Sequence, residues 1–326
     1  MLWLRWTLDA VRSESGEARR RAGVKIRHSR KCSRAITALL AELQSADRDV
    51  RRIAVRALGE IAEPAVLGPL VAALSDPDFH VRGAAASALG RLGDRSAAGS
   101  LAAALSDSDS RVRLAAVHAL EQLEGHAALE PLTTALSDRD YAVQRAAALA
   151  LGKLEKSETA VGPLLITLGD RQRPRDVRSA AAWALGRIGA PRAVEPLAAA
   201  LEVTTPYDRH FVHDGFTDTL AGALASLGDS RGVTALLAGC TGASAMAACT
   251  LAATLSHAAR RLTADDLAAI ASLEDMYVRT YLADWNQDGQ MEADCSEAKR
   301  LARDELRNRR RSVPPDSIDG DRKPWE

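Results

Sequence analysis

A short phrase returns through the middle of the chain at a near-constant interval, and that interval limits the folds open to it. The phrase reads Val50-Arg51…Ala57-Leu58-Gly59, Val81-Arg82…Ala88-Leu89-Gly90, Val112-Arg113…Ala119-Leu120, Val143-Gln144…Ala150-Leu151-Gly152 and Val177-Arg178…Ala184-Leu185-Gly186. Its valines stand 31, 31, 31 and 34 residues apart. A period of this size marks stacked units, each too small to bury its own apolar face without its neighbours. At 326 residues a compact protein would divide into about two domains, but a solenoid grows along one axis and escapes that expectation.

Composition says what the units are made of. Hydrophobic residues are 47% of the chain and aromatics only 4%, so the core must be Ala, Leu, Val and Ile. Ala and Leu are also strong helix formers. Almost no segment shows the two-residue alternation of a half-buried strand, so the chain is expected to be all-α. Net charge is zero, which leaves no global field to favour nucleic acid or an anionic membrane. Residues 1–34 are an exception, with ten Arg/Lys against Asp9, Glu14 and Glu17. Cys32, Cys240, Cys249 and Cys295 form no C-x-x-C pair, which suits a reduced cytoplasmic protein. The apolar start of the chain is broken at Arg5 and ends at Asp9, too short for a signal-peptide core. No apolar run approaches membrane-span length.

One repeat shows the physics. Ala65 to Leu74 places Val66, Leu67, Leu70, Val71 and Leu74 at helical spacing, with Pro69 tolerable only near the first turn. Ser75-Asp76-Pro77-Asp78 is a turn whose carboxylates can cap the next helix. Phe79 to Leu89 forms the second helix, with Val81, Ala84, Ala85, Ala88 and Leu89 on one face and Gly90 with Gly93 as its stop. The unit is helix A, tight turn, helix B, tight turn.

The motif Asp-x-Asp-x-x-Val-Arg-x-x-Ala-Ala-x-Ala-Leu-Gly resembles the HEAT repeat, in the short variety of phycobilisome-lyase-like proteins, over roughly residues 35–284. The resemblance implies a right-handed alpha-alpha superhelix of six clear repeats and one or two degenerate ones. It also implies a ladder in which the turn Asp and the helix-B Arg hydrogen-bond between neighbouring repeats. That role falls on Asp76 with Arg82, Asp107 with Arg113, and Asp170 with Arg178. Ser45 stands where the first Asp belongs, as suits an end repeat, and Gln144 replaces an Arg, as suits a weakened rung. Iron enzymes on related arrays use His-Glu pairs, and no His of this chain is followed by Glu.

Function is expected where the pattern breaks. In repeat five the turn from Leu168 to Val177 is longer and holds Arg171, Arg173 and Arg175 around Pro174. Repeat six aligns on Phe216-Thr217, so the insertion Glu202 to Gly215 precedes its helix B. The two turns lie on one edge of a solenoid and gather Tyr207, Asp208, Arg209, His210, His213 and Asp214 with the three arginines. Such insertions often map to the binding face; a lengthened solvated loop is the plain alternative. His210-x-x-His213-Asp214 is a minimal zinc or iron pattern lacking an evident third His. Trp183, aligned with Ser87 and His118 on helix B, can anchor a partner or pack between repeats.

Asp284-Trp-Asn286-Gln-Asp288-Gly289-Gln-Met291 matches positions 1, 3, 5, 6 and 8 of a calcium loop, between expected helices at 276–283 and 293–311. Position 12 is Cys295, not Glu, and an Asn/Asp/Gly turn explains the same residues. No other cofactor is expected. Residues 1–34 read as a basic arm or irregular cap, in which Trp3, Leu4 and Trp6 can dock on the first repeat. The solenoid runs over 35–284, a loop and helix over 285–311, and a disordered tail over 312–326. These features point to a non-catalytic scaffold for protein–protein interaction. The resemblance adds a bilin lyase-like subunit handling a chromophore, and HEAT-like glycosylases add nucleic-acid binding, which the zero net charge disfavours.

Overall fold

The computed structural model describes residues 16–30, 32–123, 125–154, 158–204, 215–241, 254, 259–271, 300–305 and 307–308. Every regular element among them is helical. The chain forms two compact units, Met1–Pro163 and Leu164–Glu326.

The first unit contains α1 (Gly16–Arg27), α2 (Cys32–Glu42), α3 (Arg48–Ile61), α4 (Leu67–Ala73), α5 (Phe79–Leu92), α6 (Ala98–Ala104), α7 (Ser110–Gln122), α8 (Leu129–Ala135) and α9 (Tyr141–Lys153). Helix A is a composite. A 3-10 turn, Pro64–Val66, leads into α4, and the same arrangement precedes α6 and α8. Pro69 falls in the first turn of α4, where its missing N–H costs nothing. The turn carboxylates cap as expected: Asp47, Asp78, Asp109 and Asp140 each accept from the backbone N–H two residues on, at 2.8–2.9 Å. These bonds satisfy donors that every helix start leaves open.

Helix B does not stop at Gly90. It continues to Leu92, and Gly93 in the left-handed region (φ 72°) ends it. Gly90 is interior and buried because it touches the next repeat. A Cβ there would lie 2.8 Å from the Ala119 Cα of α7, and one at Gly59 would lie 2.9 Å from the Ala88 Cα of α5. The Ala-Leu-Gly phrase is therefore a packing surface. Its Leu is fully buried and its Gly lets successive B helices touch backbone to side chain.

Of the two readings of the N-terminal segment, arm or irregular cap, its described residues form a cap, and a regular one. Helix α1 packs on α3 through buried Ala22, Gly23 and Ile26, and a Cβ on Gly23 would lie 2.5 Å from the Glu60 carbonyl oxygen. It covers α3 as a B helix covers its neighbour. Three apolar positions among arginines were too few to show as periodicity.

The second unit holds most of α10 (Val161–Gly169), then α11 (Arg175–Ile188), α12 (Val194–Thr204), α13 (Gly215–Ser226), α14 (Ser230–Thr241) and α15 (Ala264–Ala271). Here too the B helices meet at glycine: a Cβ on Gly186 of α11 would lie 2.8 Å from the Ala223 Cα of α13. Residues 300–305 are helical, within the expected C-terminal helix. No helix among the described residues is long and apolar enough to cross a membrane.

Candidate functional site

The charged residues of the repeat phrase join one repeat to the next. Arg51 donates through Nε and Nη2 to both carboxylate oxygens of Asp76, at 2.8 and 2.9 Å. Arg82 does the same to Asp107 at 2.6 and 2.8 Å, and Arg113 to Asp138 at 2.8 and 2.9 Å. Each rung is bidentate and charge-assisted, the strong form of this contact. The remaining Nη1 donates to a turn carbonyl of the arginine's own repeat: Ser45, Asp76 and Asp107 respectively, at 2.9–3.0 Å.

The ladder is real, but its pairing differs from the expected one. Asp76 and Arg82 belong to adjacent rungs, and so do Asp107 and Arg113; each arginine grips the aspartate 25 residues ahead. This register explains Ser45, since the ladder's first arginine, Arg51, already belongs to repeat one and reaches forward. Gln144 keeps the backbone half of the contact, donating from Nε2 to the Asp138 carbonyl oxygen. The Asp107 carboxyl is held below its usual range, first by the Arg82 hydrogen bond, with burial opposing. Arg82 is pushed up by that bond in turn.

Repeat five departs from this pattern. Asp170 and Arg178 make no rung with each other. Asp170 accepts from the Gln172 N–H at 3.0 Å and from Arg173 Nε at 3.0 Å. Pro174 stands at the N-cap of α11, where other repeats have aspartate. Arg178 donates from Nε to the Leu168 carbonyl oxygen at 2.8 Å, and its guanidinium lies 4.8 Å from the Phe216 ring centroid. Twenty-five residues beyond Arg178 stands Val203, not aspartate. Among the described residues no carboxylate forms an ion pair with Arg178. Its pKa is lowered rather than raised, first by burial and then by repulsion from Arg171 and Arg175, with Asp170 opposing.

These groups border an open cavity of about 510 Å³. Leu165 and Leu168 of α10, Ala199 and Val203 of α12, and Phe216 of α13 form its apolar wall. Arg171, Arg175 and Arg178 form the other side, and among the described residues no carboxylate lines it. Val203 is 48% exposed.

The structure thus brings Arg171 and Arg175 of the candidate residues to one place. Arg173 turns to Asp170 instead. Trp183 is half-buried on α11, with the Arg187 guanidinium 5.7 Å from its ring centroid, and does not line the cavity. Tyr207, Asp208, Arg209, His210, His213 and Asp214 lie outside the described residues, as do Asp284, Asn286 and Asp288 of the calcium-like loop. Val203 and Phe216 were not singled out from the sequence, and Arg178 was assigned only to the ladder, yet all three line the cavity. The 25-residue Arg-to-Asp register was the signal, because it lands on Val203 in repeat six alone among the rungs that begin at Arg51, Arg82, Arg113 and Arg178.

Comparison with known proteins follows the same lines. The family model for HEAT repeats matches residues 36–121, 85–138, 97–176 and 129–210, together more than half of the chain. No curated protein sequence matches. Among solved structures, importin beta is similar over 93% of this chain and 48% of its own, at 17% identity and a TM-score of 0.55. The Kap95:Nup1 complex is similar over 92% and 46%, at 17% identity and a TM-score of 0.53. A phycocyanin lyase complex from Nostoc aligns over 69% of this chain and 94% of its own, at 25% identity and a TM-score of 0.38. The first two share the all-α solenoid fold.

Proposed function

Because the chain belongs to the HEAT-repeat family, we propose that it is a non-catalytic scaffold for protein–protein interaction, with its partner site on the turn edge of repeats five and six. The observation that carries this reading is the cavity bordered by Arg171, Arg175 and Arg178. It combines guanidinium groups with an aliphatic and aromatic wall, the mixture that most often supplies interface energy. It also sits where the repeat pattern breaks, as expected of a functional site on an otherwise self-consistent fold. Elsewhere the conspicuous Asp and Arg side chains are engaged in capping and in the ladder, which supports reading them as structural.

The test is affinity capture from the native host with the full chain, comparing wild type with Arg171→Ala/Ala199→Glu. Both side chains are exposed, so the melting temperature should hold within about 1 °C while partner recovery falls more than about tenfold, or about 1.4 kcal/mol. Equal recovery would place the partner site elsewhere, with Trp183 the next candidate. Visible pigment co-purifying with the protein would replace this reading by the chromophore-handling one.

A further inference from the structure

The cavity has a more specific chemistry than a general interface. Three successive rungs show what a ladder arginine is positioned to do: it takes both oxygens of one carboxylate from the neighbouring repeat. At Arg178 the arginine is retained and the aspartate is replaced by Val203, on a helix that runs a turn past the register at which α4 ends. The turn before α11 and the first residue of that helix add two more arginines, Arg171 and Arg175, on the cavity wall. An arginine that is half-buried, repelled by like charges and without a carboxylate partner among the described residues is electrostatically unfinished. A carboxylate reaching it would gain charge-assisted bonds in a site already partly shielded from water.

We infer that the cavity receives a glutamate or aspartate side chain from an aliphatic-flanked acidic segment of a partner protein, supplying in trans the ladder carboxylate that position 203 lacks. This rests on the interaction reading above. Charge complementarity argues for the acid, since three guanidinium groups line the cavity and no carboxylate among the described residues does. The opposite wall argues for aliphatic neighbours: Leu165, Ala199 and the exposed Val203 offer apolar area that a phosphate group or a sugar–phosphate backbone would leave uncovered.

Fluorescence anisotropy on the full chain tests it, with a labelled hexapeptide alternating glutamate and leucine. Its glutamine–leucine and glutamate–serine counterparts, inorganic phosphate and a single-stranded oligothymidylate are the comparisons. The glutamate–leucine peptide should bind at least tenfold tighter than either counterpart, and phosphate at equal concentration should not displace it. Arg171→Glu should weaken binding at least tenfold with no change in melting temperature. Val203→Asp should weaken it as much while raising the melting temperature, because the restored carboxylate occupies Arg178 from within the chain. Equal binding of the glutamine peptide would overturn the carboxylate assignment, and unchanged binding by Val203→Asp would overturn the role of the broken rung. Oligothymidylate binding tighter than the peptide, with the same dependence on Arg171, would make the cavity a nucleic-acid surface. If host-partner capture survives both substitutions, the scaffold stands and this site falls; if wild type captures no partner, the scaffold reading itself falls.

Discussion

Gly90→Ala should destabilise the protein although alanine is the better helix former, and the size of the effect follows from one close approach. Gly90 lies inside α5, where replacing glycine by alanine ordinarily gains about 1 kcal/mol. The added Cβ would lie 2.7 Å from Gln122 Oε1, 2.8 Å from the Ala119 Cα and 3.0 Å from the Ala119 Cβ. The Gln122 side chain can swing away. The Ala119 Cα belongs to the α7 backbone, so the two helices must separate, and overpacking of this kind costs about 1–3 kcal/mol. The net effect is a loss of up to about 2 kcal/mol. Gly99 is the internal control: it is helical, in α6, and a Cβ added there would meet nothing within 4 Å, so Gly99→Ala should stabilise by about 0.4–1 kcal/mol. Urea unfolding of the full chain, followed by far-UV circular dichroism, should separate the two variants by about 1–3 kcal/mol. Comparison of slopes would show whether unfolding remains cooperative. If Gly90→Ala stabilises as much as Gly99→Ala, the repeat glycine is not a packing requirement and the close-stacking account fails.

Acid should act through the ladder. The folded pKa of Asp107 is lowered, so its contribution is complete above the unfolded value near 4 and is lost as pH falls through the folded value. Asp107→Asn should therefore lower the melting temperature at pH 7 and converge with wild type as pH falls below the folded value; a constant gap would remove the ionised rung from the account. In a double-mutant cycle, Arg82→Ala and Asp107→Ala should couple by about 0.5–3 kcal/mol, and simple additivity would contradict the bidentate geometry. Deleting residues 106–136 should lower the melting temperature, because neighbouring repeats supply each other's core; an unchanged melt and helicity per residue would refute that. Calcium at millimolar concentration should raise the melting temperature if Asp284, Asn286 and Asp288 bind it, and not in Asp288→Ala; an unchanged wild-type melt would leave an interhelix turn.

The helical repeat was legible because its signals are local and redundant. Valine-arginine, the small-residue run and the Asp-x-Asp turn each recur, so periodicity and capping agree on where helix B begins. What could not be read locally were contacts between units. Gly90 looks like a stop when only its own helix is considered; the backbone of α7 shows why it is needed. Asp76 looks like the partner of Arg82 six residues away, yet the carboxylate taking Arg82 comes from the next repeat. The lengthened turn of repeat five stood out through its arginines, two of which line the cavity. The chemistry proposed for that cavity depends on Val203, an unremarkable valine until the ladder register is known. Helix α1 was concealed for a similar reason, since its burial depends on the face of α3 rather than on a strong pattern of its own.

The most direct test of the account is site-specific photo-crosslinking in the host. A benzophenone amino acid at Ala199, on the cavity wall, is compared with one at Ala103, the exposed position aligned with it in α6. The account predicts that the Ala199 probe captures a discrete partner protein, through a peptide containing Asp or Glu, and loses it when Arg171→Glu is added; the Ala103 probe captures none of it. Capture at both positions alike, or capture at Ala199 that persists with Arg171→Glu, would contradict it.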